Sequence, residues 1–565
     1  MIPNIKTLLA SVISLFALVI TNPVTAQSQK MTPDQWRSDL HYFQQLVHSK
    51  YSNLFYNVTA AQFDSAITVV DKKIGKLNDT EMNIEFSKLV AMFRIGHTNV
   101  RQRLVDGNGV IPWVHPIPVK FYLFSDGLYI KSIDPKYKEA VGGKITRIGN
   151  TDIAIALEKI KPAIAFENEQ GFKNMIQYYL NLPEFLQATG IIDETDKVSL
   201  TYLKDGKENK ITIPAGTMPA SNGHGRDMTG SDWVDANEGV ATGNVPLWMK
   251  EPQKLRYFEY IPATKTVYVK HSAVQDSPGE TIAEFFAKVF RFVDSADVDK
   301  FVLDIRLNGG GNNYLNKSVI TGIIASRKIN RKGHLFIITG KATFSAAQNL
   351  TNELEKYSEA IFVGEPTSEN VNFYGDTRDE VLPNSKLNMG LSWMWWQNQD
   401  PRDKRQWTAP ELATDMSFDD YKKGNDPAMN AILAYHSEVS INDDLTRLVM
   451  AGKYDEAIAM AKKYVEDPLH RYYKADLENK INNFGYTLMN QGKFDEANKI
   501  LNMNVQLFPG SPNVYDSYAE SFLKLGNKEE AIKYYKIAFN KDPNGPTGES
   551  SGNALKQLGV DKKGF

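Results

Sequence analysis

The chain has 565 residues, 23% of them charged, with a formal net charge of −2 and no cysteine. So balanced a charge gives no footprint for nucleic acid or an acidic membrane. The lack of cysteine excludes disulfides, a thiol nucleophile, thiolate metal sites and lipid attachment through an N-terminal Cys.

Residues 1–26 have Lys6, an apolar run from Leu8 to Ile20 and Val24-Thr25-Ala26. This pattern predicts a signal peptide cleaved near Ala26 and an exported chain, periplasmic or secreted. The run is short for a membrane span, which takes about 20 residues, and no second one follows. At about 100–200 residues per domain, the remainder suggests three to five domains.

Residues 27–112 read as a helical domain. Thr32-Pro33 is an N-cap with proline at the first helical position, followed by Trp36, Leu40, Phe43 and Val47 at helical spacing. Thr59 and Gln62 form a capping box before the stripe Phe63, Ile67, Val70 and Ile74. A third helix, from about Thr80 to Phe93, stops at "RIGHTNV", where Gly96 suits a C-terminal cap.

Residues 113–215 change to alternation. Hairpins turn at Asp126-Gly127 and again within "KVSLTYLKDGKENKITIPA", and a helical insertion covers 153–190. "GGKITRIGNTDI" resembles a stretch of PDZ domains. Residues 216–245, rich in Gly, Ser, Asn and Asp and without periodicity, read as a linker or long loop. From 246 to 437 short Val/Ile/Phe runs at 266–270, 300–306, 334–340 and 360–365 alternate with helical stretches, as in an α/β layer with a buried sheet. Residues 438–565 repeat. Gly452, Gly492 and Gly526 keep step with Ala457, Ala497 and Ala531, and the last two units lie 34 residues apart. This is the tetratricopeptide pattern, in which helix pairs stack because neither buries its apolar face alone.

"GKATFSAAQNLTNELEKY" holds the residue on which function turns. Ser345 and Gln348 have capping-box spacing, so Ser345 is either a helix cap or a nucleophile at the positive end of a helix. Unpaired N–H groups at that end suit a developing oxyanion. Upstream, "LDIRLNGGGNN" sets three glycines after a buried strand, where bare backbone can approach a substrate carbonyl. A tight turn explains them equally, whereas a P-loop lacks its Gly-Lys-Ser/Thr.

Taken in order, "FVLDIRLNGGGNN", "ITGKATFSAAQNL", "AIFVGEPTSENVNFYGD" and "WTAPELATDMSFDDYKKGNDP" resemble the core of the tail-specific (C-terminal processing) serine peptidases. Glu411 stands where Asp is commoner in that family. The resemblance covers roughly residues 30–437. It implies a multidomain fold: an N-terminal helical domain, a PDZ-like β domain, an α/β (ClpP/crotonase-like) peptidase core and C-terminal α-helical tetratricopeptide repeats. It implies Ser345 as nucleophile, with Gly309, Gly310 and the N–H of Ala346 holding the oxyanion.

Many members of the family use a lysine in the Gly-Glu-x-Thr segment as base. Here Asn370 falls at that place, and Lys356 is three helical turns from Ser345, roughly 16 Å away. The tricorn-like branch instead takes a histidine from an Asp-Gly-His-Thr segment. Gly96-His97-Thr98 supplies it, with Ile95 in place of Asp, and His97 is the expected base. For the acid that orients the imidazole, Asp403, Glu369 and Asp376 are open, with the branch's late acid favouring Asp403. The aromatic cluster "WMWWQN" (393–398) reads as core packing, with a substrate groove as the alternative.

The expected activity is an exported serine endopeptidase acting on extended polypeptide. The PDZ-like domain would capture a peptide terminus, and the repeats would bind a partner or serve as a structural cap. A decayed peptide-binding scaffold is one alternative, favoured by Asn370 and Ile95. A serine esterase or amidase is the other, although the Gly-x-Ser-x-Gly elbow is missing. No cofactor or metal is expected, because no cluster has ligand spacing.

Overall fold

The computed structural model describes residues 30–106, 109–216, 233–240, 245–437 and 439–560. The signal sequence expected at 1–26 and most of the loop expected at 216–245 lie outside the described residues.

The N-terminal helices Pro33–Lys50 and Ala60–Asp71 start where the capping pattern predicts, and Asp79–Ala91 starts at a capping box of its own, Asn78 with Glu81. Thr32 and Thr59 each accept a hydrogen bond from the amide three residues on, and Gln35 and Gln62 return one. Residues up to 112 are not all helical, however. Strands Asn99–Asp106 and Gly109–Pro112 form a hairpin. They join Leu387–Gln397 and Asn372–Val381 in a four-stranded antiparallel sheet. Strand-forming residues there needed partners almost 300 positions away, which no local pattern reports.

The PDZ-like region is antiparallel. Val119–Phe124, Gly127–Ile133, Lys144–Ile148, Lys197–Lys204 and Lys207–Pro214 lie in that order in the sheet. The "GGKITRIGNTDI" stretch makes its strand and turn and then enters helix Ile153–Ile160. This sheet and the N-terminal helices share one apolar core, from Trp36 and Phe43 through Phe121 and Ile130 to Phe185.

The third sheet has six strands in the order Arg256–Ile261, Thr266–His271, Lys300–Asp304, Leu335–Thr339, Ile361–Gly364 and Leu412–Ala413. The first pairing is antiparallel and the rest are parallel. Every residue of Lys300–Asp304, Leu335–Thr339 and Ile361–Gly364 is buried, as expected of a parallel sheet covered on both faces. Helices Ile282–Ser295, Lys317–Ala325 and Ala346–Tyr357 connect the strands. Loops at the carboxyl ends of such strands are where α/β sheets place ligands.

Seven helices from Ile441–Met450 to Pro546–Gln557 complete the described chain. The repeat alanines Ala457, Ala497 and Ala531 are fully buried between helices, which is why the register keeps a small residue there. The array docks through residues 468–473. His470 Nδ1 lies 3.1 Å from the Glu411 carbonyl, and Arg471 pairs with Asp415 at 2.8 Å. No described helix is long and apolar enough to cross a membrane.

Candidate active site

Ser345 heads helix Ala346–Tyr357 but does not cap it. Its φ is 58° and ψ −126°, and its hydroxyl makes no bond into the helix. An N-cap has extended dihedrals. A non-glycine residue at positive φ costs about 1–3 kcal/mol and persists only where the surroundings enforce it. The enforcement is visible. Thr343 Oγ1 donates to the Ile305 carbonyl at 2.9 Å, the Phe344 N–H to Asn308 O at 3.1 Å, and the Ser345 N–H to Glu369 Oε2. Gln348, the other half of the expected capping box, is turned instead to Asn352 and Thr408.

The hydroxyl so released lies 2.9 Å from His97 Nε2. His97 arrives on the loop between helix Asp79–Ala91 and strand Asn99–Asp106. The left-handed turn in this loop falls on Arg94, so Gly96 is not the helix cap its sequence suggests. Gly96 has a different reason to lack a side chain. A Cβ there would stand 3.0 Å from the Phe344 ring. That ring stacks on the imidazole at 4.4 Å, and the Phe373 ring lies nearly parallel to it at 5.8 Å. Ile95 fills the core beneath, and Thr98 Oγ1 accepts the Ser392 N–H at 3.0 Å. Burial beside the rings pushes the imidazole down to about 4, so it is neutral and able to accept a proton at neutral pH.

Glu369 comes from the loop after strand Ile361–Gly364. Its side chain has no exposed surface, and Oε1 lies 2.9 Å from His97 Nδ1, at an angle too oblique for a straight hydrogen bond. A second buried carboxyl, Glu167, comes from the PDZ-like region. It accepts the Asn370 N–H at 3.1 Å and, more weakly, the Gly96 N–H at 3.4 Å. Burial and the neighbouring Glu369 push Glu167 up to about 8, so it holds a proton at neutral pH. Burial also raises Glu369, well above the usual carboxyl value, and the Ser345 N–H offsets only part of this. His97, Glu167 and Glu369 each bring one ligating atom within 4.8 Å of the others, the one such grouping among the described residues. Their backbone donors and the adjoining hydroxyl suit proton transfer.

Ser345, His97 and Glu369 thus stand in line, hydroxyl to imidazole to carboxyl. Comparison with solved structures bears on the fold. Mature CPAF complexed with lactacystin matches with a TM-score of 0.50 at 10% identity, over 71% of this chain and 97% of that one. The chain has the CPAF fold. A second structure of mature CPAF gives 0.49 at 11% identity, over 71% of this chain and 96% of its own. The photosystem II D1 C-terminal processing protease gives 0.33 at 11% identity over 67% and 93%, too low to weigh. The tetratricopeptide repeat family matches residues 516–545. No curated protein matches by sequence.

Within this fold, Asp403 is not the acid beside His97. It is paired with Arg405 at 2.8 Å, and Arg405 in turn with Glu355 at 2.7 Å, so local charge pairing holds it beside the last turn of helix Ala346–Tyr357. Asp376 is exposed and acts on His97 only as a more distant charge. Glu369 is the acid in contact. Its position two residues after Thr367 in "GEPTSE" was the available signal, whereas Glu167 lay in a helical insertion with none.

The glycines divide the work expected of them. Gly310 has φ 97°, and a Cβ there would lie 2.6 Å from Ser345 Cβ and 2.9 Å from the Ala346 nitrogen. Its N–H, however, donates to Asn308 Oδ1 at 2.9 Å, so Gly310 lets the backbone approach rather than donating to substrate. Gly309 lines the adjoining cavity, and the Ala346 nitrogen opens the helix. Arg306, in the same segment, clamps Asp426 with two bonds of 3.1 and 3.0 Å and fixes the loop to the end of the core. Asn370 donates its N–H to Glu167 as noted, and Lys356 reaches the Asn398 carbonyl, so neither resembles a Ser–Lys dyad. The aromatic cluster at 393–396 is neither core nor groove. Trp393 is exposed under Arg378, and Trp395 packs on Tyr56 and Tyr374 at the surface of the four-stranded sheet.

Proposed function

We propose that the chain is a serine endopeptidase that hydrolyses extended or unfolded polypeptide through an acyl-enzyme. The observation that carries this reading is the 2.9 Å contact between Ser345 Oγ and His97 Nε2 at a serine held in positive φ. His97 accepts the hydroxyl proton as Oγ bonds to the carbonyl carbon, and then protonates the leaving amine as the C–N bond breaks. Water, deprotonated by the same imidazole, releases the acyl group. Glu369 orients the ring and stabilises its charged form, and the N–H groups of Gly309 and Ala346 hold the oxyanion. Asn370 and Ile95, the departures that favoured a decayed scaffold, have structural employment, the first donating its N–H to Glu167 and the second buried in the core.

Export through residues 1–26, capture of a substrate terminus by the PDZ-like region and partner binding by the repeats belong to the same proposal. So do domain limits near residues 112, 215, 245 and 437. The test is fluorophosphonate labelling of the purified chain with the modified residue mapped by mass spectrometry. Paired ester and peptide substrates are turned over alongside. Label on Ser345 together with cleavage of an unstructured polypeptide supports the reading. An unlabelled protein refutes it, and turnover of esters alone moves the assignment to an esterase.

A further inference from the structure

Beside the nucleophile, between the PDZ-like sheet and the six-stranded sheet, lies a cavity of about 560 Å³. Gly309, Phe344 and Gly96 form its end nearest Ser345. Its described lining carries six cationic side chains: Lys120, Lys131, Lys254, Lys270, Arg306 and Lys341. Four carboxyl groups oppose them, namely Glu167, Glu365, Asp415 and Asp426. Of these, Asp426 is clamped by Arg306, Asp415 is paired with Arg471 from outside the lining, and Glu167 is protonated at neutral pH. Within the lining the cationic side chains outnumber the charged carboxyl groups, although Arg306 is also held by Asp304 and Lys254 by Glu251.

Burial of the lysines makes this more than a surface tally. Lys131, Lys270 and Lys341 are each 5–6% exposed, and lysine is almost never so buried without close pairing. Carbonyl, ring and carboxyl groups surround them. Lys341 Nζ stands 3.8 Å from Glu365 and 4.0 Å from the Tyr122 ring centroid, and donates to the Leu123 carbonyl. Lys131 is 3.7 Å from Asp235, and Lys270 donates to the carbonyls of Lys250 and Glu251. Lys341 keeps its charge, since Glu365 and Tyr122 outweigh the cost of burial. A desolvated ammonium group with carbonyl and ring partners has capacity for an incoming anion, and the low dielectric of the site strengthens that attraction.

We propose that this cavity receives an acidic side chain of the substrate, Asp or Glu, close to the scissile bond, and that Lys341 is a specificity-determining residue for it. The proposal rests on the peptidase reading of Ser345. The position of the cavity favours a side chain over a chain terminus. Its wall continues into Gly309 and Phe344, against the nucleophile, where an endopeptidase holds internal residues of its substrate. Tyr122, Phe124 and Trp248 on the same wall suit the aliphatic stem of such a residue.

The test uses the whole chain and internally quenched peptides that differ only by Glu or Gln at single positions around the cleaved bond. Each pair is also made with a free or amidated C-terminus. At one position Glu should exceed Gln in kcat/KM by about tenfold or more. The ratio should collapse towards one in Lys341→Gln and survive in Lys341→Arg. Because it is taken within each variant, a loss of folded protein does not move it. Fluorophosphonate label on Ser345 certifies the active fraction. Ratios within twofold at every position in the wild type overturn the proposal, as does a full ratio in Lys341→Gln. A preference confined to the free C-terminus overturns the side-chain assignment. The two readings fail separately: absence of all label and turnover defeats the peptidase, whereas turnover without a Glu/Gln preference defeats only this inference.

Discussion

The helix starts at Thr59 and Ser345 carry the same sequence pattern, a hydroxyl residue with glutamine three places on. At Thr59 the chain does what the pattern says. The residue is extended at φ −77°, its hydroxyl accepts from Gln62 N, and the glutamine side chain returns to the cap. At Ser345 nothing of this survives. The residue is at φ 58°, its hydroxyl faces His97, and Gln348 is buried against Thr408. The cap is a local economy in which one side chain satisfies one orphan amide. At the nucleophile a carboxyl group 24 residues downstream takes the Ser345 N–H instead, and the hydroxyl is left for chemistry. A shared motif thus separates into structure and function according to what the rest of the fold brings to it.

This contrast is sharpest at the serine itself. Ser345→Ala should lower kcat/KM by at least about 10⁴-fold and abolish fluorophosphonate labelling, while chemical denaturation is little changed because no cap bond is lost. Preserved turnover in that variant would return Ser345 to the status of Thr59. Next in size is Glu369→Gln, which keeps the shape of the side chain but loses the carboxyl that orients and stabilises the imidazole. A fall of about 10³–10⁴-fold in kcat is expected, as for the acid of other serine triads.

The acid limb of kcat/KM gives a third measure. Burial lowers His97 to about 4, so the base stays neutral through the range where an exposed histidine would protonate. As pH falls through about 4 the imidazole takes a proton and no longer accepts the one on Ser345, so the rate should drop about tenfold per unit. A midpoint near the ordinary histidine value of about 6.5 would mean the aromatic packing does not shield the ring.

Thr59→Ala reverses the first experiment. It should cost about 1 kcal/mol in denaturant unfolding of the N-terminal region and leave catalysis unchanged. Smallest of all, Asp403→Asn should change kcat/KM by less than about twofold, because Asp403 serves an exposed pair with Arg405 rather than the imidazole. A loss comparable to that of Glu369→Gln would restore it as the orienting acid.

By itself the sequence determined what short-range physics controls. The buried runs at 300–304, 335–339 and 361–364 became parallel strands, because short apolar stretches rich in Val, Ile and Phe have few other ways to be buried on both faces. Thr32, Thr59 and the repeat alanines likewise meant what their neighbours implied, and the ordered motifs pointed to Ser345 and His97, which the fold brings into contact. Only the tertiary structure chose Glu369 over Asp403, recruited Glu167 from an insertion, turned Gly310 towards Asn308 and gathered buried lysines around one cavity. These choices depend on loops from four separate segments meeting in a low-dielectric interior, where a displacement of one or two ångströms decides which groups touch. Sequence separation carries no information at that scale, so the partners of the nucleophile could be read only after the chain had folded around it.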